Sequence, residues 1–569
     1  MKLSSRPAAA RPAVARRHRW RYAPLLAVAA LAGSALAAGP ASGAVTHHRD
    51  HFLRWFLPGN LVVSRSVYAG TAGLLQPGVT ELPPGCTTGC AVATADGSYP
   101  GVWNNVTPDP SFGVTSPIFL DQVTTGGHLI NTLRVPDGGG SPAGQGNHLV
   151  TSFSSKSELA LNLSTSGRQL SFMGYLATPD TVDVSNSNTP GGFDPTNPVP
   201  GAYYRVAAQV NRWGRFRYTL TNAYSGDNGR AAILSDSDGS DVLFTAGNAG
   251  NGSNPQPDGI ITGAGAQILT PQRAPESLQS PGQPAPVGSF SVTQLGDKAD
   301  KVGKDTNFRG LTIYHDVVYY TKGSGSNGVN TVYFIDTTGK ACPDGTGVPQ
   351  PGAPLPASAI AFNPSLLQTQ GVTPDNMCIL QGFPTALKSA TSFPFGIWFA
   401  NADTLYVADE GNGDSTFSTA SGTYTGDAAQ TTAGLQKWVF NGTSWSLAYT
   451  LTAGLNLGVP YQVPGYPAGD NAATGLPWAP ATDGLRNITG RVDPDGTVTI
   501  WGITSTVSGN GDQGADPNKL VAITDPLRAT APAARERFAT VRAAGYGEVL
   551  RGVSFTPGTG SSARRDRSR

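Results

Sequence analysis

The chain has few charged residues and almost no methionine. Only 14% of its 569 residues are Asp, Glu, Lys or Arg, and Met occurs three times, whereas 72 Gly and 45 Pro make up about a fifth of the chain. Aromatic and β-branched residues cluster in short runs, which a disordered chain would not show. This composition predicts a β-protein with many turns.

The sequence also lacks an apolar run long enough to span a bilayer. Its one apolar stretch, Pro24–Ala38, follows seven basic residues, and no acidic residue occurs before position 45. Small residues at Ala35–Ala37 and Ser42–Ala44 provide cleavage sites, as in a secretory signal peptide. We therefore expect residues 1–44 to be a signal peptide and the protein to be secreted or held at the cell surface.

Removal of that segment changes the charge balance. The whole chain has 39 basic and 38 acidic residues; without residues 1–44 it has 32 basic and 38 acidic residues, a net charge of −6. A mildly acidic protein has no general attraction for nucleic acid, so we expect no such partner. Residues 45–59 are expected to form a lead segment and residues 558–569 a basic flexible tail.

Cysteine is scarce, and four cysteines in an exported protein favour two disulfides. Cys86 and Cys90 lie in one short loop, while Cys342 and Cys378 flank a long insertion. Local pairing within each of these two pairs is the favoured one of three connectivities. The alternative is a metal site at Cys86 and Cys90, but no nearby His or second close Cys pair accompanies it. We expect no metal and no cofactor.

The segment Phe393–Thr452 shows the unit from which the chain is built. It contains four short runs of β-branched, aromatic and aliphatic residues, separated by turn-forming stretches. Alternation of apolar and polar residues in Leu405–Asp409 and Leu435–Phe440 is typical of strands with one packed face. Four antiparallel strands in roughly sixty residues make one blade of a β-propeller.

A short pattern recurs where the inner strand of each predicted blade would begin. One residue precedes a small or polar residue and then an apolar run, at separations of 72, 79, 86, 91 and 65 residues. Such spacing fits blades with long loops. The six start positions are Glu158, Arg230, Arg309, Phe395, Arg486 and Arg551.

The last start position has almost no chain after it. We therefore expect the C-terminal strand to pair with the N-terminal strands within Asn60–Val135, which removes two open sheet edges. The prediction is an all-β fold, a six-bladed β-propeller of four-stranded antiparallel blades over residues 60–557. Seven blades is the alternative, if Asn60–Ala69 belongs to a separate blade.

Leu405–Asp409, with the sequence Leu-Tyr-Val-Ala-Asp, resembles the strand motif of NHL-type and lactonase-type propellers. The wider pattern is similar to a group of secreted β-propeller proteins of unassigned function; it comprises Asn60–Gly70, Gly434–Trp438 and Val549–Pro557. The resemblance covers most of the exported chain. It implies the propeller fold and no particular chemistry.

The start positions also predict a ligand site. In a propeller the inner strands begin on one face beside the axis, so the six side chains would form a ring there. Four guanidinium groups in a narrow funnel repel one another unless anions neutralise them. Arg suits carboxylate or phosphate recognition, so we expect an anionic or polar ligand, such as an acidic glycan. The alternative is that each Arg bonds carbonyl groups of the neighbouring blade and holds the blades together.

Three functions remain open from the sequence. The first is a binding or scaffold protein whose partner is an extracellular glycan, a small anion or a protein, with the chain itself expected to be monomeric. The second is a hydrolase or lyase that uses Glu158, Asp409 and Glu410 as general acid and base. The third is a protein–protein interaction module that acts through rim loops. Whether the chain is an enzyme stays open.

Several motifs of known chemistry are absent or misplaced. No Gly-x-Ser-x-Gly occurs. Arg at the start positions disfavours a cation on the axis, so the metal chemistry of lactonase-type propellers is not carried over. The Gly-x-Gly-x-x-Gly strings at Gly323–Gly328 and Gly509–Gly514 precede predicted strands. A nucleotide fingerprint needs a helix there, so no nucleotide is expected.

Overall fold

The computed structural model describes residues 55–560 with gaps. The longer gaps are 69–78, 104–112, 137–147, 249–264, 272–287, 290–306 and 356–376, and shorter ones lie between them. The expected signal peptide, most of the lead segment and the end of the basic tail lie outside the described residues.

Strands dominate the described chain. The first twelve are β1 (Leu61–Val67), β2 (Glu81–Leu82), β3 (Ala91–Val92), β4 (Ala95–Tyr99), β5 (Val102–Trp103), β6 (Thr115–Val123), β7 (Leu129–Arg134), β8 (His148–Ser152), β9 (Asn162–Leu163), β10 (Gln169–Ala177), β11 (Arg205–Asn211) and β12 (Phe216–Thr221).

The middle of the chain continues in the same way. Its strands are β13 (Gly229–Ser235), β14 (Val242–Gly247), β15 (Ala266–Leu269), β16 (Gly288–Ser289), β17 (Phe308–Tyr314), β18 (Val317–Lys322), β19 (Thr331–Ile335), β20 (Thr346–Gly347) and β21 (Met377–Leu380).

The last part contains eleven strands and one short α-helix among the described residues. They are β22 (Pro394–Asn401), β23 (Thr404–Asp409), β24 (Phe417–Ser418), β25 (Thr423–Tyr424), α1 (Thr425–Ala428), β26 (Gly434–Phe440), β27 (Trp445–Leu451), β28 (Ala481–Val492), β29 (Thr497–Val507), β30 (Lys519–Pro526), β31 (Ala539–Ala543) and β32 (Glu548–Phe555).

Four separate sheets follow the order of the chain. They are β13-β14-β15-β16, β17-β18-β19-β21 with β20 beside β21, β22-β23-β26-β27, and β28-β29-β30-β31. Apart from the parallel pair β20–β21, their strand pairs are antiparallel. The predicted unit at Phe393–Thr452 is the third of these sheets.

The other large sheet has nine strands. Its order is β12-β11-β10-β8-β6-β1-β32, with β7 on β6 and β9 on β10. Hydrogen bonding therefore does not divide the chain into the six separate four-stranded sheets that the sequence predicted. The physical reason is β8, which pairs with both β6 and β10 and joins their two groups of strands.

The two ends of the strand sequence pair with each other, as predicted. β32 runs antiparallel to β1, with Leu61 opposite Phe555 and Val67 opposite Glu548. β1 in turn pairs with β6. This pairing places β1 between β6 and β32, so β1 is not an open edge, and β32 is the end strand of the sheet.

The inner segments contact one another in cyclic order, which makes the arrangement propeller-like. The first strand of each separate sheet packs against the first strand of the next, and β28 packs against β32. The glycine after three of the start positions, Arg309, Phe395 and Arg551, lies against the following segment. A Cβ on Gly310 would lie 2.3 Å from the carbonyl oxygen of Phe395, and one on Gly552 would lie 2.4 Å from that of Leu159. Because backbone approaches so closely, the recurring pattern needs a small residue there.

The apolar faces of the sheets form the core between neighbouring sheets. One cluster joins Tyr406 and Leu435 of the third separate sheet to Ile488 and Val498 of the fourth. The two predicted disulfides are also confirmed: Cys86 is bonded to Cys90, and Cys342 to Cys378. In the part of the chain that the structure describes, no helix is both long and apolar enough to cross a bilayer.

Candidate functional site

All six predicted start positions have largely buried side chains, but they do not share one environment. The structure places Phe395 in the apolar interior, 2% exposed. Its carbonyl oxygen accepts a hydrogen bond from Thr321 Oγ1 at 2.5 Å. Phe395 therefore contributes packing between inner segments.

Two of the four Arg side chains bond to a neighbouring inner segment. Arg551 donates from Nη1 to the carbonyl oxygen of Ser155 at 2.8 Å and from Nη2 to that of Phe153. Arg230 donates from Nη1 to the carbonyl oxygen of Phe308 at 3.0 Å and also to Asn307 Oδ1. These contacts match the alternative in which Arg holds adjacent segments together.

Glu158 is satisfied within its own part of the chain. Its carboxylate accepts hydrogen bonds from Thr151 Oγ1 at 2.7 Å, from the backbone N–H of Ser152 at 3.0 Å and from the Tyr175 hydroxyl. Burial raises the pKa of Glu158, although these hydrogen bonds oppose the shift. Glu158 forms no ion pair with the four Arg side chains among the described contacts.

The remaining two Arg side chains converge on Glu410, the residue that follows β23. Arg309 Nε lies 3.4 Å from Glu410 Oε1, and Arg486 Nε lies 3.4 Å from Glu410 Oε2. All three side chains are at most 6% exposed. The end of β23 and the inner strands β17 and β28 thus bring one carboxylate between two guanidinium groups.

Two further cations act on the same carboxylate. Burial alone would raise the pKa of Glu410, but the charges of Arg309, Lys156, Arg486 and Arg230 outweigh it and lower that pKa. Glu410 is therefore ionised at neutral pH. We call Lys156, Arg230, Arg309 and Arg486 the cationic cluster. Asp227 also acts on Arg230, and Asp483 acts on Lys156 and Arg486. Burial lowers the pKa of Lys156, and burial together with the like charge of Arg309 lowers the pKa of Arg230 to about 9.

Asp409, the other predicted acid on β23, has a structural environment. Its carboxylate accepts hydrogen bonds from Ser392 Oγ, from the backbone N–H groups of Phe393 and Gly411, and from Gln436 Nε2, at 2.8 to 3.1 Å. It is fully buried. With four donors on its two oxygens, Asp409 serves to join the strand end to its neighbours.

Sequence reasoning missed a second pair of acids beside the cationic cluster. Asp427 on α1 and Asp483 on β28 lie within hydrogen-bonding distance of each other. Gln430 Nε2 donates to Asp483 Oδ1 at 2.7 Å and to Asp427 Oδ1 at 3.3 Å, and Gly413 N–H donates to Asp483 Oδ2 at 3.1 Å. We call Asp427 and Asp483 the carboxyl pair.

The carboxyl pair has one oxygen that no protein donor reaches. Asp427 Oδ2 is buried and has no hydrogen-bond partner among the described residues. Burial, and for Asp427 also the charge of Asp483, raises the pKa of both carboxyls above the usual value of 3.8. A proton shared between the two groups satisfies this geometry. The one available sequence signal was Asp483, three residues before the start position Arg486.

Comparison with known proteins identifies no family. No family profile matches the chain, and no curated protein matches it. Among solved structures, the NanB sialidase of Streptococcus pneumoniae is 6% identical with a TM-score of 0.32, over 70% of this chain and 62% of that one. A PL25 ulvan lyase is 11% identical with a TM-score of 0.28, over 86% of this chain and 96% of the lyase. Drosophila Semaphorin 1a is 10% identical with a TM-score of 0.26, over 73% and 84%. Similarity at this level supports no conclusion about activity.

Proposed function

We propose that this chain is a secreted propeller protein that binds an anionic group at the cationic cluster. One observation carries the proposal: the positive charges of Arg309, Lys156, Arg486 and Arg230 all act on one ionised carboxylate, Glu410. Like charges held together in a low-dielectric site favour an added anion. The two disulfides support an extracellular location. We also propose that residues 1–44 are a signal peptide and that residues 60–557 form one propeller.

The architecture we propose has six blades. Within the nine-stranded sheet, β32-β1-β6-β7 and β9-β10-β11-β12 would each be one four-stranded blade, with β8 as the strand that links them. The four separate sheets would supply the other four blades. The cyclic contacts of the inner segments support this count, because β9 packs against both β13 and β32.

The ligand class follows from the groups that line the site. Arg309 and Arg486 offer planar guanidinium groups, which suit a carboxylate or sulfate group. Both side chains are at most 6% exposed, so only a small group or the end of a chain fits beside them. An acidic saccharide with a terminal uronate or sulfate group has this chemistry.

The test measures ligand-induced thermal stabilisation of the exported protein. We expect oligogalacturonate, glucuronate and sulfate to raise the melting temperature and neutral oligosaccharides to leave it unchanged. The double variant Arg309→Met/Arg486→Met should lose this shift. The matched control is Arg551→Met, which should lower stability because Arg551 bonds a neighbouring segment, yet keep the ligand-induced shift. No shift with any anion, or an equal shift in the double variant, would refute the proposal.

A second candidate is a hydrolase or lyase that acts on the same anionic ligand. It is favoured by the carboxyl pair, because a carboxyl that shares a proton can act as general acid or base. Glu158 and Asp409 are occupied by hydrogen bonds, and Glu410 is held ionised. The activity would therefore depend on Asp427 and Asp483. Product release from acidic polysaccharides that survives in Asp483→Asn would exclude this role.

A further inference from the structure

An exposed apolar surface lies where the described chain begins. Trp55, Leu57 and Trp213 are 37%, 47% and 42% exposed. Hydrogen bonds link the segment that carries Trp55 to β7 and to the turn that carries Trp213. Asn131 Nδ2 of β7 donates to the carbonyl oxygen of Trp55 at 3.0 Å. Phe56 N–H bonds the carbonyl oxygen of Arg212 at 3.0 Å, directly before Trp213. Exposed apolar surface of this kind marks an interaction site.

Cationic side chains border the same surface. The guanidinium carbon of Arg212 lies 4.3 Å from the centre of the Trp213 ring. Nε of Arg212 is buried and meets no hydrogen-bond acceptor among the described residues. Arg168 is exposed in the turn after β9, and that turn adjoins Arg212 through Gly558, whose N–H donates to the carbonyl oxygen of Gly167 at 2.7 Å. We call the surface formed by Trp55, Leu57, Arg168, Arg212 and Trp213 the basic aromatic patch.

Both ends of the described chain reach this patch. Trp55 is the first described residue, and Gly560 is the last. Gly558 lies against Pro58 and Arg212. The adjoining sequence is basic: residues 45–54 contain two Arg, three His, one Asp, Phe and Leu, and residues 561–569 contain four Arg and one Asp.

We propose that the basic aromatic patch docks on an anionic lipid surface. Indole rings and leucine side chains favour the boundary between headgroups and acyl chains, and Arg binds the headgroup phosphates. Basic residues near such a surface add electrostatic attraction. The exposed leucine favours lipid over a polysaccharide, because an aliphatic side chain offers no hydrogen bond to a sugar. The mature protein, −6 overall, would bind through local charge alone.

The docking is independent of the ligand proposed for the cationic cluster. The patch involves the turns after β9 and β11, whereas Arg230, Arg309 and Arg486 of the cluster lie on β13, β17 and β28 and Lys156 precedes β9. A variant of one site should therefore leave the other unchanged.

The experiment is vesicle co-sedimentation of the exported protein. We expect binding to vesicles of equal parts phosphatidylglycerol and phosphatidylcholine, and much weaker binding to phosphatidylcholine alone. Arg212→Gln/Trp213→Ser should lower the partition coefficient about tenfold. Both changes lie in an exposed turn, and an unchanged melting temperature would show that the variant is folded.

The matched control is Leu447→Ser/Arg535→Gln, which removes one exposed apolar and one exposed cationic side chain elsewhere. It should bind vesicles like the unaltered protein, as should Arg309→Met/Arg486→Met. Equal loss in patch and control variants would overturn the proposal, as would equal binding to both vesicle types. Retention on an immobilised acidic polysaccharide without vesicle binding would assign the patch to a glycan instead.

Discussion

At the scale of single residues, Glu410 decides how the cationic cluster is tolerated. Arg309 and Arg486 contact its two oxygens, and Lys156 and Arg230 act on it through charge. Removing one partner of a buried ion pair leaves the other charge uncompensated, which costs more than the pair itself contributes. Glu410 is thus a built-in counter-ion, and an anionic ligand would neutralise the positive charge that remains.

We expect Glu410→Gln to lower the free energy of unfolding by about 3 kcal/mol, because it leaves Arg309 and Arg486 buried without their carboxylate partner. Sulfate should restore part of the loss by taking the place of the carboxylate. Chemical denaturation with and without sulfate measures both effects. Asp403→Asn, an exposed turn carboxylate, is the control and should change neither. An unaltered midpoint in Glu410→Gln would contradict the role of counter-ion.

The carboxyl pair predicts a dependence of stability on pH. Both pKa values are raised above their unfolded value of 3.8, so the folded state binds more protons than the unfolded state above that pH. Proton binding to the carboxyl pair therefore stabilises the folded state, and this contribution to the free energy of unfolding is lost as pH rises above about 4. It is opposite to the sign for Glu410, whose lowered pKa contributes stability that is lost in acid.

Asp427→Asn should therefore flatten the decline of stability between pH 5 and pH 8. An amide at this position donates a hydrogen bond to Asp483 and carries no charge, so we expect a gain of about 1 kcal/mol at pH 8 and little change at pH 4. Thermal unfolding across this pH range is the measurement. A parallel shift of the whole profile would show that Asp427 does not share a proton with Asp483.

At the scale of elements, the glycine after three of the start positions controls how the inner segments meet. Gly310 and Gly552 each face a carbonyl oxygen of the following segment at a distance that a Cβ would make too short. Asn487, the residue after the start position Arg486, contacts the next segment through its side chain. Its Oδ1 accepts a hydrogen bond from the N–H of Val553 at 2.7 Å. The sequence repeat therefore reflects contact between inner segments as well as strand formation.

Gly552→Ala tests this contact. Its Cβ would lie 2.4 Å from the Leu159 carbonyl oxygen, so β32 would have to move away from the segment it closes against. We expect a loss of about 2 kcal/mol in the free energy of unfolding, typical of overpacking. In the control, Gly545→Ala, the nearest atom would be 3.5 Å away. Equal stability of the two variants would argue against a tight inner contact at Gly552.

At the scale of the whole molecule, the pairing of β32 with β1 brings the last described strand beside the first. The paired strands leave both termini of the described chain beside the basic aromatic patch. The molecule thus has two separate surfaces with positive charge. The cationic cluster, which we propose as an anion site, is largely buried. The basic aromatic patch is exposed and contains apolar side chains.

The sequence by itself determined the strand-rich class, the unit at Phe393–Thr452, the pairing of both disulfides and the closure of β32 onto β1. These features depend on local alternation, turn residues and spacing, which are properties of the chain itself. It also identified Arg309, Arg486 and Glu410 as chemically unusual residues.

Only the tertiary structure decided what those residues meet. It joined two groups of strands through β8, bonded Arg230 and Arg551 to neighbouring carbonyls, and brought Asp427 beside Asp483 across 56 positions of sequence. Such contacts depend on the register and packing of distant strands. Local sequence patterns do not predict these contacts. The alternation of apolar and polar residues specifies which face of the sheet a side chain occupies but not which residue it contacts.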